Sequence, residues 1–391
     1  MTESAINPAR RIPVCVPYLN GREEEYIQDA VHSTWISSRG KYLDRFEKEF
    51  PAYVGVKYGT ATCNGTLALH LAAKALNLKA GDEVILPSFT MIASTFALCY
   101  CGVVPVFLDC DPEDWNMDVN QVEAAISPKT RAIMVVHIYG HPTNMGPVME
   151  IARRHNLQVI EDAAEAHGSE YLGQKCGSFG DVNCFSFFAN KNMTCGEGGM
   201  VVTDSPELFD RLRYLKNLCF PLGDARRYDH EEIGFNYRMS NLHAALGCAQ
   251  LECIDEYVDL RRKNAHAYNE RLGTIPGLQL PVERSWAKNT YWMYGVVCNQ
   301  DFGFTRDELA IKLAAAGIET RAFFKPMHQQ KALIDYGFRA PFPLPHSEAL
   351  GSQGLYLPSS SSLSESEMDY VCDTIRRLQG SHVITRSSSY Q

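Results

Sequence analysis

RAIMVVHIYGHPTNMGPVMEIARRHNLQVIED, residues Arg131 to Asp162, decides the fold. Its two ends, RAIMVVHIYG (Arg131 to Gly140) and LQVIED (Leu157 to Asp162), are short runs rich in branched apolar residues. Between them VMEIARRH (Val148 to His155) repeats apolar residues at three- and four-residue spacing, the period of a helix. A strand, a helix and a strand in series imply a right-handed crossover and a parallel pair. The alternation extends outward in both directions. Strand-like runs recur as VILPSF (Val84 to Phe89), VPVFLD (Val104 to Asp109), NCFSFF (Asn183 to Phe188) and GMVVTD (Gly199 to Asp204), with TLALHLAAKAL (Thr66 to Leu76) and VNQVEAAI (Val119 to Ile126) as helical stretches between. The expectation is an α/β protein whose mainly parallel sheet is sandwiched by helices, with ligands gathering at the carboxyl ends of the strands.

Beyond that unit, Asn241 to Arg271 reads as a long helix leading into a smaller α/β unit, with strands near Tyr291 to Cys298 and Gly317 to Phe324 and helices at Arg306 to Ala316 and Ser364 to Leu378. We therefore expect a large domain over 1–255, a small C-terminal domain over 256–380 and a disordered polar tail over 381–391. Of 391 residues, 45% are hydrophobic and 21% charged, which excludes a disordered chain or a coiled coil as the main architecture. The net charge of -9 provides no basic field for nucleic acid. The chain lacks a signal-like start and any long apolar span, so no membrane association and a cytoplasmic location are expected. Thirteen scattered cysteines, without a C-x-x-C pair, read as reduced thiols rather than a disulfide framework or zinc site. His137, His141, His155 and His167 show no ligand spacing, so no metal is expected.

Three features could carry chemistry. Lys191, in FSFFANKNMTCGEGGM, follows an apolar strand, where desolvation would lower its proton affinity and let the amine attack a carbonyl; a solvated surface lysine is the alternative. Asp162 closes another strand of the same sheet and, if buried, wants a cation; it could instead cap the next turn. Asn64, Gly65 and Thr66 precede an amphipathic helix whose N-terminal amides can hold a phosphate, with the Ser186 hydroxyl as a further ligand; a plain N-cap would look the same. Together the three suit pyridoxal 5'-phosphate, which needs a lysine for its aldehyde and an acid for its ring nitrogen. The chain has no G-x-G-x-x-G after a strand, no P-loop, no H-E-x-x-H and no G-x-S-x-G, so dinucleotide, nucleotide-hydrolysing and hydrolase chemistry lose their usual anchors.

At these residues the chain resembles the pyridoxal-phosphate-dependent nucleotide-sugar aminotransferases of the DegT/DnrJ/StrS type, within fold type I. The likeness runs nearly end to end through PYLNGREEEYIQDAV, GTATCNGTLALHLA, GDEVILPSFTMIAS, VVPVFLDCD, VIEDAAEAHGS, FSFFANKNMTCGEGGM and GFNYRMSNLHAALG. It implies that Lys191 binds the cofactor aldehyde, Asp162 pairs with the ring nitrogen, and Glu165 lies near the ring and its hydroxyl. Gly65, Thr66 and Ser186 would hold the phosphate, and Asn236 would reach it from the other subunit of a homodimer. Met91 stands where the family usually places a stacking aromatic. The implied reaction takes an amino group from L-glutamate, releases 2-oxoglutarate, passes through pyridoxamine 5'-phosphate and aminates a nucleotide-linked keto sugar.

NKNMTCGEGGM and NTYWMYGVV are most similar to the members that aminate C4 of GDP-4-keto-6-deoxymannose. A dTDP- or UDP-linked keto sugar is the alternative substrate. A noncatalytic cofactor-binding regulator and a cofactor-free interaction protein are the alternatives to an enzyme. The substrate diphosphate needs cations, and Arg226, Arg227, Arg321, Lys325 and His328 are the candidates, against solvated loop charges. Tyr291 and Trp292 could wall the sugar or base, with core packing the better reading for one of them.

Overall fold

A computed structural model of the chain describes residues 11–221 and 228–388. The strands run in chain order as β1 (Tyr58–Thr62), β2 (Glu83–Pro87), β3 (Val104–Leu108), β4 (Thr130–Val136) and β5 (Gln158–Asp162). A ribbon of β6 (Glu170–Tyr171) and β7 (Gln174–Lys175) precedes β8 (Val182–Ser186) and β9 (Gly199–Thr203). The main sheet has the order β1-β9-β8-β5-β4-β2-β3. Neighbours from β8 through β3 pair in parallel, whereas β9 is antiparallel to both β8 and β1.

Both faces of this sheet are buried, so strands such as β2, β3 and β4 carry consecutive apolar residues rather than alternating ones. Val84, Leu86, Met134, Ile160 and Val201 point into one layer, with residues of the helices Gly65–Ala75, Ile92–Cys99 and Pro206–Lys216. Ile85, Ile133, Val135 and Val159, their neighbours in sequence, point into the other layer, with the helix Met145–His155. The chain leaves β3 and returns on the far side of β2 as β4, so the order of the sheet reverses between β2 and β4. A crevice opens at the carboxyl ends of strands at such a point.

The small unit has a four-stranded antiparallel sheet, β10 (Leu278–Gln279), β12 (Tyr294–Cys298), β14 (Gly354–Leu357) and β13 (Arg321–Ala322), in that spatial order. The intervening β11 (Ala287–Lys288) instead joins the β6–β7 ribbon. Its core is shared with the helices Arg306–Ala315 and Glu365–Ser388.

Several expectations are revised. The helix read over Asn241 to Arg271 is two helices, Asn241–Glu252 and Ile254–Leu272, interrupted where Cys253 takes φ -113 and ψ 4. In the second, Ile254 and Val258 join the core of the large unit, while Ala265, Tyr268 and Leu272 join that of the small one. The expected boundary at residue 255 lies in the first turn of this helix, and we propose that the passage from one core to the other falls slightly later, between Val258 and Ala265. The N-terminal segment also crosses over: Ile12 bridges Ile318 and lies in the small-unit core. That pairing occupies the first part of the strand expected over Gly317 to Phe324, leaving only β13 in the ladder. The last helix runs to Ser388, ten residues beyond Leu378, where the apolar spacing that marked it ends, and into the expected disordered tail.

Candidate active site

Lys191 follows β8 in a tight turn, with its amide donating to the Phe188 carbonyl at 2.9 Å. Its side chain is 11% exposed. The ammonium lies 3.9 Å from Glu165 Oε1 and 3.8 Å from the centroid of the Trp292 ring. Burial lowers the proton affinity of Lys191, opposed by the negative charges of Glu165 and Asp162. Burial likewise lifts Glu165 to about 7, opposed by Lys191. The pair is drawn toward neutral amine and neutral carboxyl, the protonation state in which a lysine attacks an aldehyde.

Asp162 ends β5, buried, beside Val136 at the end of β4 and Cys184 in β8. Ser94 Oγ donates to its Oδ2 at 2.7 Å and the Ala164 amide to its Oδ1 at 3.2 Å. Burial raises its proton affinity, and these two hydrogen bonds oppose the rise. Glu165, one turn further on, accepts the Tyr139 amide at 2.8 Å. Tyr139 holds φ +53, an unusual conformation for a residue with a side chain, at the turn that follows β4.

The start of the helix Gly65–Ala75 is compatible with both readings made from sequence. Asn64 does cap its helix, accepting the Leu67 amide at 3.0 Å. The amides of Gly65 and Thr66, first in the helix Gly65–Ala75, have no acceptor within it and carry the positive end of its dipole. A Cβ on Gly65 would lie 2.6 Å from Ser186 Cβ, so only glycine lets the helix start approach the end of β8 this closely. An amine, a buried carboxylate and a helix start thus converge at one end of the sheet.

The family model for DegT/DnrJ/EryC1/StrS aminotransferases matches residues 17–376. The chain belongs to this family. GDP-perosamine synthase of Escherichia coli O157:H7 is 44% identical over 93% of this chain and 97% of its own. GDP-perosamine synthase of Caulobacter vibrioides is 44% identical over 92% and 96%. DesI, solved in the presence of its TDP-sugar product, superposes with a TM-score of 0.87 at 34% identity, covering 97% of this chain and 96% of that one.

As a DegT-family aminotransferase the chain uses pyridoxal 5'-phosphate, and its residues fit that cofactor. Lys191 suits the aldehyde, Asp162 the ring nitrogen, and the glycine-tight start at Gly65, with Thr66 and Ser186, the phosphate. Met91, 45% exposed after β2, caps the helix Ile92–Cys99 by receiving the Ala93 amide on its sulfur at 3.0 Å. Asn236 is exposed and its backbone bridges Asn217.

The substrate candidates separate. Arg226 and Arg227 lie outside the described residues. Arg321 is exposed, beside Glu319 at 3.7 Å and opposite Tyr356 in the ladder, and Lys325 is exposed. His328 is brought to the strand ends, 2.7 Å from Ser88 Oγ at the close of β2, with Glu348 at 3.1 Å on its other nitrogen. Tyr291 is 3% exposed, packs on His266 and belongs to the small-unit core, whereas Trp292 joins a separate aromatic cluster; core packing, expected for one of the two, thus falls to Tyr291. Sequence reading missed Ser94, Thr90 and Tyr139. The spacing of the PSFT segment to the following helix could have pointed to Ser94, whereas nothing local marks Tyr139.

Proposed function

We propose that the chain transfers an amino group from L-glutamate to C4 of GDP-4-keto-6-deoxymannose, giving GDP-perosamine. The observation that carries the transfer is Lys191, buried between Glu165 and Trp292 at the same sheet end as Asp162. The nucleotide and sugar rest on the extent of identity to the two perosamine synthases.

Pyridoxal phosphate, when bound, supplies an aldehyde that takes up the amino group and a ring that draws electrons from the substrate carbon. Asp162, fixed by Ser94 and Ala164, holds the proton on the ring nitrogen. The amides of Gly65 and Thr66 and the Ser186 hydroxyl anchor the phosphate. Lys191 moves the proton between the substrate carbon and the C4' carbon of the cofactor, acting as base in one direction and acid in the other. Glu165 sets its charge. Trp292, Tyr139, Phe323 and Tyr356 close the back of the crevice with buried aromatic surface and exclude water from that side.

We assign the diphosphate to Arg321, Lys325 and His328, with Arg226 and Arg227 as further cations. The active unit is a homodimer, in which Asn236 of each chain serves the other site. Exposed Trp35, Ile36 and Ile233 support an apolar contact with a second copy. A cytoplasmic location agrees with thirteen free thiols.

Side-by-side turnover of the GDP-, UDP- and dTDP-linked 4-keto-6-deoxy sugars tests the assignment. The expected result is a kcat/KM for the GDP sugar about a hundredfold above the others. A preference for the dTDP sugar would move the chain toward the chemistry of DesI.

A further inference from the structure

Trp292 is placed with more care than a core residue needs. Its indole N–H donates to the Asn190 carbonyl at 2.7 Å, so it grips the residue immediately before Lys191. Its own carbonyl accepts Arg261 Nη1 at 2.6 Å, and the same nitrogen reaches the Ser359 carbonyl at 2.8 Å. Arg261 is 4% exposed. The turn before Trp292 is held in the left-handed region at Tyr291, whose amide donates to Asn289 Oδ1 at 2.8 Å. Gly140 packs so tightly against this turn that a Cβ there would lie 3.0 Å from the Trp292 nitrogen. A backbone strained in this way persists only where its surroundings over-determine it.

The result is an aromatic face from the segment leading into the small sheet, presented to the amine of the large unit at 3.8 Å. A cation over an indole face is held by the ring quadrupole, most strongly where water is excluded. We propose that Trp292 is a positioning residue that holds the free amine of Lys191 between its ring and Glu165, and that Arg261 and the strained turn at Tyr291 fix the ring for this purpose. The proposal rests on Lys191 as the reactive amine. It adds that the small unit helps to set where that amine rests and when it is charged.

The groups facing the amine are Glu165, Asp162 and Cys15, each favouring the charged form, and His167 on the neighbouring turn. The indole face adds to the first set. Removing it should therefore favour the neutral amine.

The test follows attachment of pyridoxal phosphate to cofactor-free protein, by absorbance, across pH in wild type, Trp292→Phe and Trp292→Leu. Attachment requires the neutral amine, so the rate rises through the pKa of Lys191. The inflection should fall by roughly one pH unit in Trp292→Leu and stay near wild type in Trp292→Phe, which keeps an aromatic face. Thermal melts confirm that each variant is folded. A cooperatively folded Trp292→Leu with the wild-type inflection overturns the proposal. Should Trp292→Leu fail to fold, Trp292→Met carries the test in its place: a folded variant without an aromatic face that kept the wild-type inflection would overturn the proposal equally. Failure of wild type to attach the cofactor at any pH would instead refute the role of Lys191.

Discussion

Ser94 Oγ lies 2.7 Å from Asp162 Oδ2, and Thr90 Oγ1 lies 2.9 Å from Ser94 Oγ, all of them buried. The carboxylate at the end of β5 is thus oriented by the helix that follows β2, across the point where the order of the sheet reverses. Ser94→Ala leaves only the Ala164 amide on Asp162. The expected outcome is retained cofactor and a glutamate half-reaction slowed about tenfold, the rate equivalent of one charge-assisted hydrogen bond, read by stopped-flow absorbance.

Lys191→Ala removes the amine that we propose as both attachment point and proton carrier. Turnover should fall by at least about 10³-fold while noncovalent cofactor remains detectable by absorbance and native mass spectrometry. Wild-type turnover in this variant would refute the assignment of the lysine.

Gly65→Ala inserts a methyl group into the contact with Ser186 Cβ, where 2.6 Å is available. The helix start and β8 must separate, at a cost of about 1–3 kcal/mol of stability. Because we propose that the same two elements cradle the phosphate, cofactor retention through gel filtration should fall together with the melting temperature. A variant that lost stability but kept the cofactor would dissociate the cradle from Gly65.

The sheet and its parallel sense are legible because the buried strands keep adjacent apolar residues, Val159–Ile160 in β5 and Cys184–Phe185 in β8, which locate Asp162 and the turn before Lys191. The same logic hides β1. Its sequence YGTAT is small because Gly59 packs against Pro51, where a Cβ would lie 2.3 Å from Pro51 Cγ, and no hydrophobic pattern announces it. For Tyr291 and Trp292 the sequence left open which of the two is core, because a positive φ at Tyr291 breaks the simple alternation of a strand. Ser94 and Tyr139 act through a side-chain hydroxyl and a backbone amide, neither of which leaves a periodic trace. The return of Ile12 to the small unit is a contact across 306 positions, beyond any local pattern.

Acid should destabilise the fold through His167. Its ring is buried among Phe50, Phe185 and Phe187, and burial pushes its pKa from 6.5 down to about 3. Between those values the unfolded chain binds a proton that the folded chain refuses, so stability falls as pH falls. The contribution is about 1.4 kcal/mol per pH unit within that window. Denaturant unfolding of His167→Phe between pH 6 and pH 4 should show a slope shallower by up to that amount, and an unchanged slope would remove His167 from the account.

The most direct measurement begins with holoenzyme converted by glutamate and freed of excess donor. GDP-4-keto-6-deoxymannose is then added while the absorbance of lysine-bound cofactor is followed and the sugar product is identified by NMR. The account predicts that the absorbance returns and that the product carries its amine at C4. If glutamate changes the absorbance but the GDP sugar fails to restore it while a dTDP or UDP keto sugar succeeds, the proposed substrate is contradicted.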